Sequence, residues 1–408
     1  MSDTYEILSA STVVDYVARM PELRAVLDPT TVERVREVGD GNLNLVFVLS
    51  ASDGHGLVLK QALPYVRLVG PAWPMTPDRA RHEALALSVH GRLAPALVPT
   101  LYYFDPERYV VAMEDLSDHR VWRQALNAGE RDEGAAADMG EYVARVAFGT
   151  SVFGMGAGEQ KALLVDAVNP QLCGITEDLV FTEPYVPAGR NSTLPANDAD
   201  ARELAADDAM VREMGWLKWQ FMTQAEALIH GDLHTGSVMV RPAADGLVRS
   251  TKAFDSEFAF YGPIGFDLGA LFGNYVIAAA RAFALGDTAR ALWALGLWRE
   301  TWTAFETCFR ELWPGRVDPR VFRDGTLEDY LSRARLDGAG FAAAKMARRI
   351  VGLAKTADIE TLPEHLREGA ARGVLRAARH IAVARHQSSD PAVLAPQVAG
   401  ILEATRTS

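Results

Sequence analysis

With 408 residues, 49% of them hydrophobic, the chain is long enough for two lobes with substantial cores and too apolar for general disorder. Its 41 Lys and Arg against 53 Asp and Glu leave a net charge of −12, which argues against a broad nucleic-acid or anionic-membrane surface, so any phosphate ligand needs local cations. Cys173 and Cys308 are too few for a disulfide framework or a cysteine zinc site, and both read as small apolar residues. The first residues, MSDTYEILSASTVVDYVARM, carry no basic region followed by an apolar core, and later apolar runs are broken by charges such as Arg281. A cytoplasmic protein without a membrane span is the expectation.

The front third reads as strands and the remainder as helices, with no internal repeat. In EVGDGNLNLVFVLS, Gly39, Asp40, Gly41 and Asn42 form a turn that feeds a strand at Asn44, where missing side chains let backbone N–H groups approach a phosphate chain; a plain hairpin turn is the competing reading. Leu43, Leu45, Phe47 and Leu49 alternate as a half-buried strand would, and GLVLKQALPYV supplies a second strand after the turn-forming Ser52, Asp53 and Gly54. Lys60 lies on this second strand, placed to grip nucleotide phosphates, and Glu83 in the helical DRARHEALALSVH is its candidate ion-pair partner. Between them VGPAWPMT sets two prolines around Trp73, which predicts a loop able to fold over a cleft. RYVVAMEDL reads as a third strand, and the lobe boundary is expected just beyond it, giving lobes 1–114 and 115–408.

After about residue 120 amphipathic helical stretches dominate, interrupted by an expected exposed loop at PAGRNSTLPANDAD. In HGDLHTGSVMV, His230, Gly231 and Asp232 match a loop that supplies a base to phosphoryl transfer, but Ser237 stands where kinase-like loops carry a metal-binding Asn. Downstream, TKAFDSEFAFYGPIGFDLGALF offers Asp255 and Glu257, which point the same way if the backbone there is extended. Two such carboxylates make a hard oxygen site suited to Mg²⁺, with the Ser237 hydroxyl as a further donor. In MARRIVGLA, Arg348 and Arg349 are adjacent cations in an acidic chain. Successive side chains on a helix diverge by about 100°, so either a local break turns both into one site or one arginine serves structure.

GDGNLNLVFV (39–48), KQALPYVR (60–67), WPMT (73–76), MEDLSDHRVWR (113–123), HGDLHTGSVMV, EFAFYGPIGFDLGA (257–270) and MARRIVGLA (346–354) together resemble the 5-methylthioribose kinases, across nearly the whole chain. The Asp-x-Glu followed by FAFYGP is more specific than the glycine turn or a lone His-x-Asp. The resemblance implies an α+β, bilobal protein-kinase-like fold, with a small antiparallel-sheet N-lobe and a larger, mostly helical C-lobe. It implies ATP-dependent, Mg²⁺-supported phosphorylation of the anomeric hydroxyl of a 5-thio-substituted ribose, in a homodimeric enzyme of methionine salvage. By the same resemblance Asp232 is the catalytic acid or base, and Asp255 and Glu257 hold the metal. Lys60 and the turn Gly39, Asp40, Gly41, Asn42 and Asn44 bind ATP phosphates, and Met113, Glu114 and Leu116 form the adenine-binding hinge. Trp73 belongs to a lid, and Arg348 and Arg349 meet the sugar and the transferred phosphate. Ser256 and Lys355 depart from the family's usual Pro and His. The alternatives are a kinase of a related sugar such as 5-deoxyribose, an antibiotic phosphotransferase and a non-catalytic binding protein.

Overall fold

Apolar alternation in the front third folds as an antiparallel sheet. In the computed structural model, which describes residues 5–39, 43–67, 70–244 and 246–407, its strands are β1 (Val32–Glu37), β2 (Asn44–Ala51), β3 (Gly56–Ala62), β4 (Leu101–Asp105) and β5 (Val110–Glu114). Their order is β1-β2-β3-β5-β4. Gly54 closes the β2–β3 turn at φ +87°, a left-handed conformation that glycine adopts without a Cβ penalty. The expected positions Asp40, Gly41 and Asn42 lie outside the described residues.

The reading of residues 43–49 as half-buried is corrected. Phe47 and Leu49, with Leu57, Leu59, Val110 and Ala112, pack beneath Val13, Tyr16, Val17 and Leu23 of an N-terminal helical segment. Val48, on the opposite face, is buried as well. On that face Ala62, Val111 and Met113 join Ala80, Ala84 and Leu87 of the helix Arg79–Leu93, so side chains on both sides of the sheet are covered. Lys60 therefore emerges from the second face, under that helix.

Beyond Glu114 the chain is mostly helical, which with the sheet makes the expected α+β arrangement. Its spine is the buried helix Ile264–Ala284 against the helix Asp324–Ile350. Gly265, Gly269 and Gly273 lie four residues apart on the contact, and a Cβ on Gly269 would stand 2.6 Å from that of Phe341. Small residues thus set the helix separation, and with it the placement of the last turns of Asp324–Ile350. β6 (Arg120–Val121), β8 (Val238–Arg241) and β9 (Ser250–Ala253) form a second small sheet, and β7 (Ala227–Ile229) pairs with β10 (Phe260–Gly262). The β7–β8 connection carries Asp232; the β9–β10 connection carries Asp255 and Glu257.

The segment 187–200 is a loop only in its first part. A short helix starts at Asp198, and Asn197 is fully buried, donating to Asp200 Oδ2 at 3.0 Å and Glu368 O at 3.1 Å. Cys173 is half-buried, Cys308 buried, and both are free. Among the described residues no helix is long and apolar enough to cross a membrane.

Candidate active site

Asp232 stands on a loop whose backbone is tied down on both sides. The N–H groups of His230 and Gly231 donate to the Asp267 carboxylate at 2.7 and 3.0 Å. Gly231 has φ +83°, and a Cβ there would sit 2.1 Å from Phe258 O, so the turn admits only glycine. His230 donates from Nε2 to Phe254 O at 2.9 Å, which leaves Nδ1 to accept from Asp232 N–H at 3.3 Å. One histidine thereby joins the loop of Asp232 to the segment of Asp255.

The Asp232 carboxylate accepts from Lys345 Nζ at 2.7 Å through Oδ1, and its Oδ2 lies 3.4 Å from His234 Nε2. Burial opposes ionisation, but Lys345, with His234, Arg348 and Arg349, holds the carboxyl well below the usual carboxylate range. His234 is held well below the usual imidazole range, by burial first. Ser237 is buried and its Oγ is 3.1 Å from His234 Nδ1, so its hydroxyl supports the loop.

Carboxylate oxygens of Glu83, Asp255 and Glu257 all lie within 4.8 Å of one another. The convergence does not come from the extended backbone expected between Asp255 and Glu257: Asp255 has φ +67°, and a turn follows from Ser256, whose carbonyl accepts from Ala259 N–H at 3.0 Å. Lys60 Nζ is 2.9 Å from Glu83 Oε1 and also contacts Asp255. Asn44 Nδ2 donates to Glu257 Oε2 at 2.9 Å, and Arg79 Nε is 3.2 Å from the same oxygen. Burial pushes Glu83 up to about 7 and raises Glu257, while Lys60 is held well above its ordinary value by Asp255, Glu83 and Glu257 against desolvation. The three carboxylates face the cations Lys60 and Arg79. Crowded hard oxygen donors fit a divalent cation such as Mg²⁺, whose charge favours the ionised form of carboxyls that burial pushes up.

The remaining predicted residues have the following local surroundings. A Cβ on Gly39 would meet open space. Met113 and Leu116 are buried, and Glu114 Oε2 accepts from Thr100 N–H at 3.0 Å and Lys252 Nζ at 3.0 Å, which fixes the end of β5 against β9. The loop of Trp73 is held by paired backbone bonds, Val66 N–H to Trp73 O at 2.9 Å and Met75 N–H to Pro64 O at 3.1 Å. Trp73 packs with Val66, Met75 and Leu172, and the Arg190 guanidinium lies 6.0 Å from its ring centroid. On the lid reading of half-buried Trp73, its replacement by Ala is expected to raise the KM for sugar by up to about tenfold while leaving the fold intact, one aromatic contact being worth about 0.5–1.5 kcal/mol; steady-state kinetics with a thermal melt check this.

No break turns Arg348 and Arg349 together. The helix Asp324–Ile350 runs unbroken through both. The reason is local: Val351 N–H still reaches Ala347 O at 3.0 Å, and the chain reverses only afterwards. Arg349 Nη1 faces Ala354 O at 3.5 Å and Lys355 O at 3.4 Å, supporting that reversal, whereas Arg348 Nε is buried with no hydrogen-bond partner among the described residues. On the reading that Arg348 meets the transferred phosphate, Arg348→Ala is expected to lower turnover at least tenfold at unchanged stability, by removing charge stabilisation there. Arg349→Ala should chiefly destabilise, by about 1–3 kcal/mol, and kinetics beside denaturant melts separate the two.

Three participants escape the motif reading. Lys345 lies three and four residues before Arg348 and Arg349, so helical spacing puts all three near one face. Arg79, fully buried, also donates to Leu43 O at 2.6 Å, Leu63 O at 2.8 Å and Thr76 O at 2.7 Å, joining the glycine-turn strand, β3 and the Trp73 loop to Glu257. Its place four residues before Glu83 was the available signal. Arg123 pairs with Asp358 at 3.2 Å and gave none.

Residues 34–302 match the model of the phosphotransferase enzyme family. Methylthioribose kinase of Pectobacterium carotovorum is 40% identical over 370 residues, covering 88% of this chain and 89% of that one. The methylthioribose kinase of Geobacillus kaustophilus is 42% identical over 354 residues, covering 86% and 87%. Among solved structures, a choline/ethanolamine kinase family protein from Mesorhizobium loti aligns over 97% of this chain and 99% of its own at 15% identity and a TM-score of 0.44. A glucosamine kinase covers 97% and 79% at 15% identity and the same TM-score, 0.44. The chain belongs to the phosphotransferase enzyme family and, within it, to the methylthioribose kinases.

Proposed function

We propose that this protein transfers the γ-phosphoryl group of ATP to the 1-hydroxyl of 5-methylthioribose, giving 5-methylthioribose 1-phosphate and ADP in methionine salvage. The observation that carries the reading is the ionised, cation-held carboxylate of Asp232 on a loop joined to converging carboxylates, in a chain about 40% identical to methylthioribose kinases. Asp232 takes the proton of the sugar hydroxyl as its oxygen bonds to the γ-phosphorus and the bond to the β-phosphate oxygen breaks. Lys60, oriented by Glu83, grips the phosphates, the turn from Gly39 to Asn44 covers them, and Met113 to Leu116 hold adenine. Asp255 and Glu257 would hold Mg²⁺, which when bound offsets phosphate charge. Arg348 neutralises the transferred group, and the Trp73 loop closes over the sugar.

The charge beside Asp232 favours an uncharged acceptor. Lys345, Arg348 and Arg349 all act on its carboxylate, and such a pocket repels a polycationic aminoglycoside. ADP release with 5-methylthioribose, 5-deoxyribose and an aminoglycoside is the test. The highest kcat/KM is expected with methylthioribose, with loss of activity on chelation of divalent ions; preference for the aminoglycoside would overturn the reading. The homodimer belongs to the same proposal, and sedimentation should give twice the 44.4 kDa chain mass.

A further inference from the structure

Lys345 stands in the run GAGFAAAKMA, whose other residues are glycine, alanine and large apolar side chains, and only 4% of it is exposed. An ammonium in such a place costs several kcal/mol unless it is paired. Its partner is the one carboxylate that the chemistry needs. Nζ lies 2.7 Å from Asp232 Oδ1 and 4.3 Å from the centroid of the Phe266 ring, which walls it on the side of the helix Ile264–Ala284. Lys345 lies between Phe341, Ala342 and Met346, which meet Gly269 and Gly273 of that helix, and the pair with Asp232.

We infer that Lys345 is a positioning residue for phosphoryl transfer: by occupying Asp232 Oδ1 it fixes the carboxylate's rotation and leaves Oδ2, which has no hydrogen bond among the described residues and lies 3.4 Å from His234 Nε2, as the oxygen that faces the acceptor hydroxyl. The inference rests on the kinase reading of the site and adds to it a residue from a helix distant in sequence. It also separates two uses of positive charge, since Arg348 and Arg349 occupy the following turn and neither is hydrogen-bonded to Asp232.

The groups that bear on this pair are Asp232 and His234 from the catalytic loop, Arg348 and Arg349 from the lysine's own helix, and Asp267 from the helix Ile264–Ala284. Burial pushes Lys345 down to about 8, with Asp232 pulling upward and both arginines downward. The signs follow. Asp232 works as a carboxylate and is held ionised by Lys345, so loss of that charge lets burial raise its pKa and moves the acidic limb of the rate profile to higher pH. Lys345 itself loses its proton as pH rises through about 8, so wild-type turnover falls on the alkaline side.

The test is the pH dependence of kcat, with KM for both substrates, in full-length wild type, Lys345→Met and Lys345→Arg. The methionine variant is expected to lose up to about a hundredfold in kcat, the scale of a misplaced catalytic group, with the KM for ATP little changed. Its acidic limb should rise by about 1–3 units, the reach of a close opposite charge. The arginine variant should restore much of kcat, keep the wild-type acidic limb and lose the alkaline fall. A folded methionine variant with wild-type kcat and acidic limb would overturn the inference. Should that variant not fold, an arginine variant whose alkaline fall coincides with that of wild type would do the same. Rates are compared on whichever acceptor the wild type phosphorylates, so failure of methylthioribose appears in the wild type and failure of the lysine's role appears in the ratio.

Discussion

Asp232→Asn is expected to lower kcat by about 10²–10⁴-fold, the contribution of a positioned general base, with the KM for ATP close to wild type. Asparagine keeps an oxygen for Lys345 Nζ, now 2.7 Å from Oδ1, so the loop keeps its geometry, but the buried ammonium loses its paired charge and the variant is expected to melt earlier than wild type. The backbone bonds from His230 and Gly231 to Asp267 do not involve the substituted side chain. What disappears is the acceptor for the hydroxyl proton. Rapid-quench measurement of the transfer step checks this, and a chemical step within tenfold of wild type would remove Asp232 from its central role.

Asp255→Asn and Glu257→Gln should behave differently, losing about 10²–10³-fold in rate, comparable with the loss of a preorganised charge-stabilising group, and demanding more Mg²⁺ for half-maximal activity. Their physics also differ from each other. Asp255 is half-buried and contacts Lys60, so its loss frees that ammonium as well. Glu257 is buried, bonded to Asn44 and paired with Arg79, and its substitution leaves a buried guanidinium without its carboxylate. Glu257→Gln is therefore expected to be the less stable of the two, because breaking a buried ion pair costs about 3–5 kcal/mol. Titration of activity with Mg²⁺ beside thermal melts distinguishes the metal effect from the packing effect.

The parts of this site that could be read from the sequence are those written in short local patterns. His230 to Asp232, the Asp255-Glu257 pair and Lys60 each lie in or beside a short, largely apolar strand, and Glu83 sits on a helical stretch. The structure pairs Lys60 with Glu83 at 2.9 Å. Lys345 and Arg79 were hidden for a different reason: a lone cation on a helix reads as solvated, and only tertiary packing shows that these are buried. Lys345 is 113 residues from Asp232 in the chain, so no local spacing connects them. The positive φ of Asp255 was equally unreadable, because a left-handed non-glycine residue is uncommon and is imposed by its surroundings. In the fold, β1 and β4 are not legible in the sequence, since VERVRE and LYYFD show no clean apolar alternation. The two-sided burial of β2 depends on helices far from it in sequence.

The central claim is that Asp232 directs the γ-phosphoryl group to the anomeric oxygen of 5-methylthioribose. Phosphorus NMR with proton coupling, on the product formed from ATP, Mg²⁺ and 5-methylthioribose by the purified chain, tests it most directly. The account predicts one new phosphomonoester signal coupled to the anomeric proton, with one ADP formed per sugar. A phosphate coupled to the proton at another carbon, or ATP left unconsumed in the presence of the sugar, would contradict it.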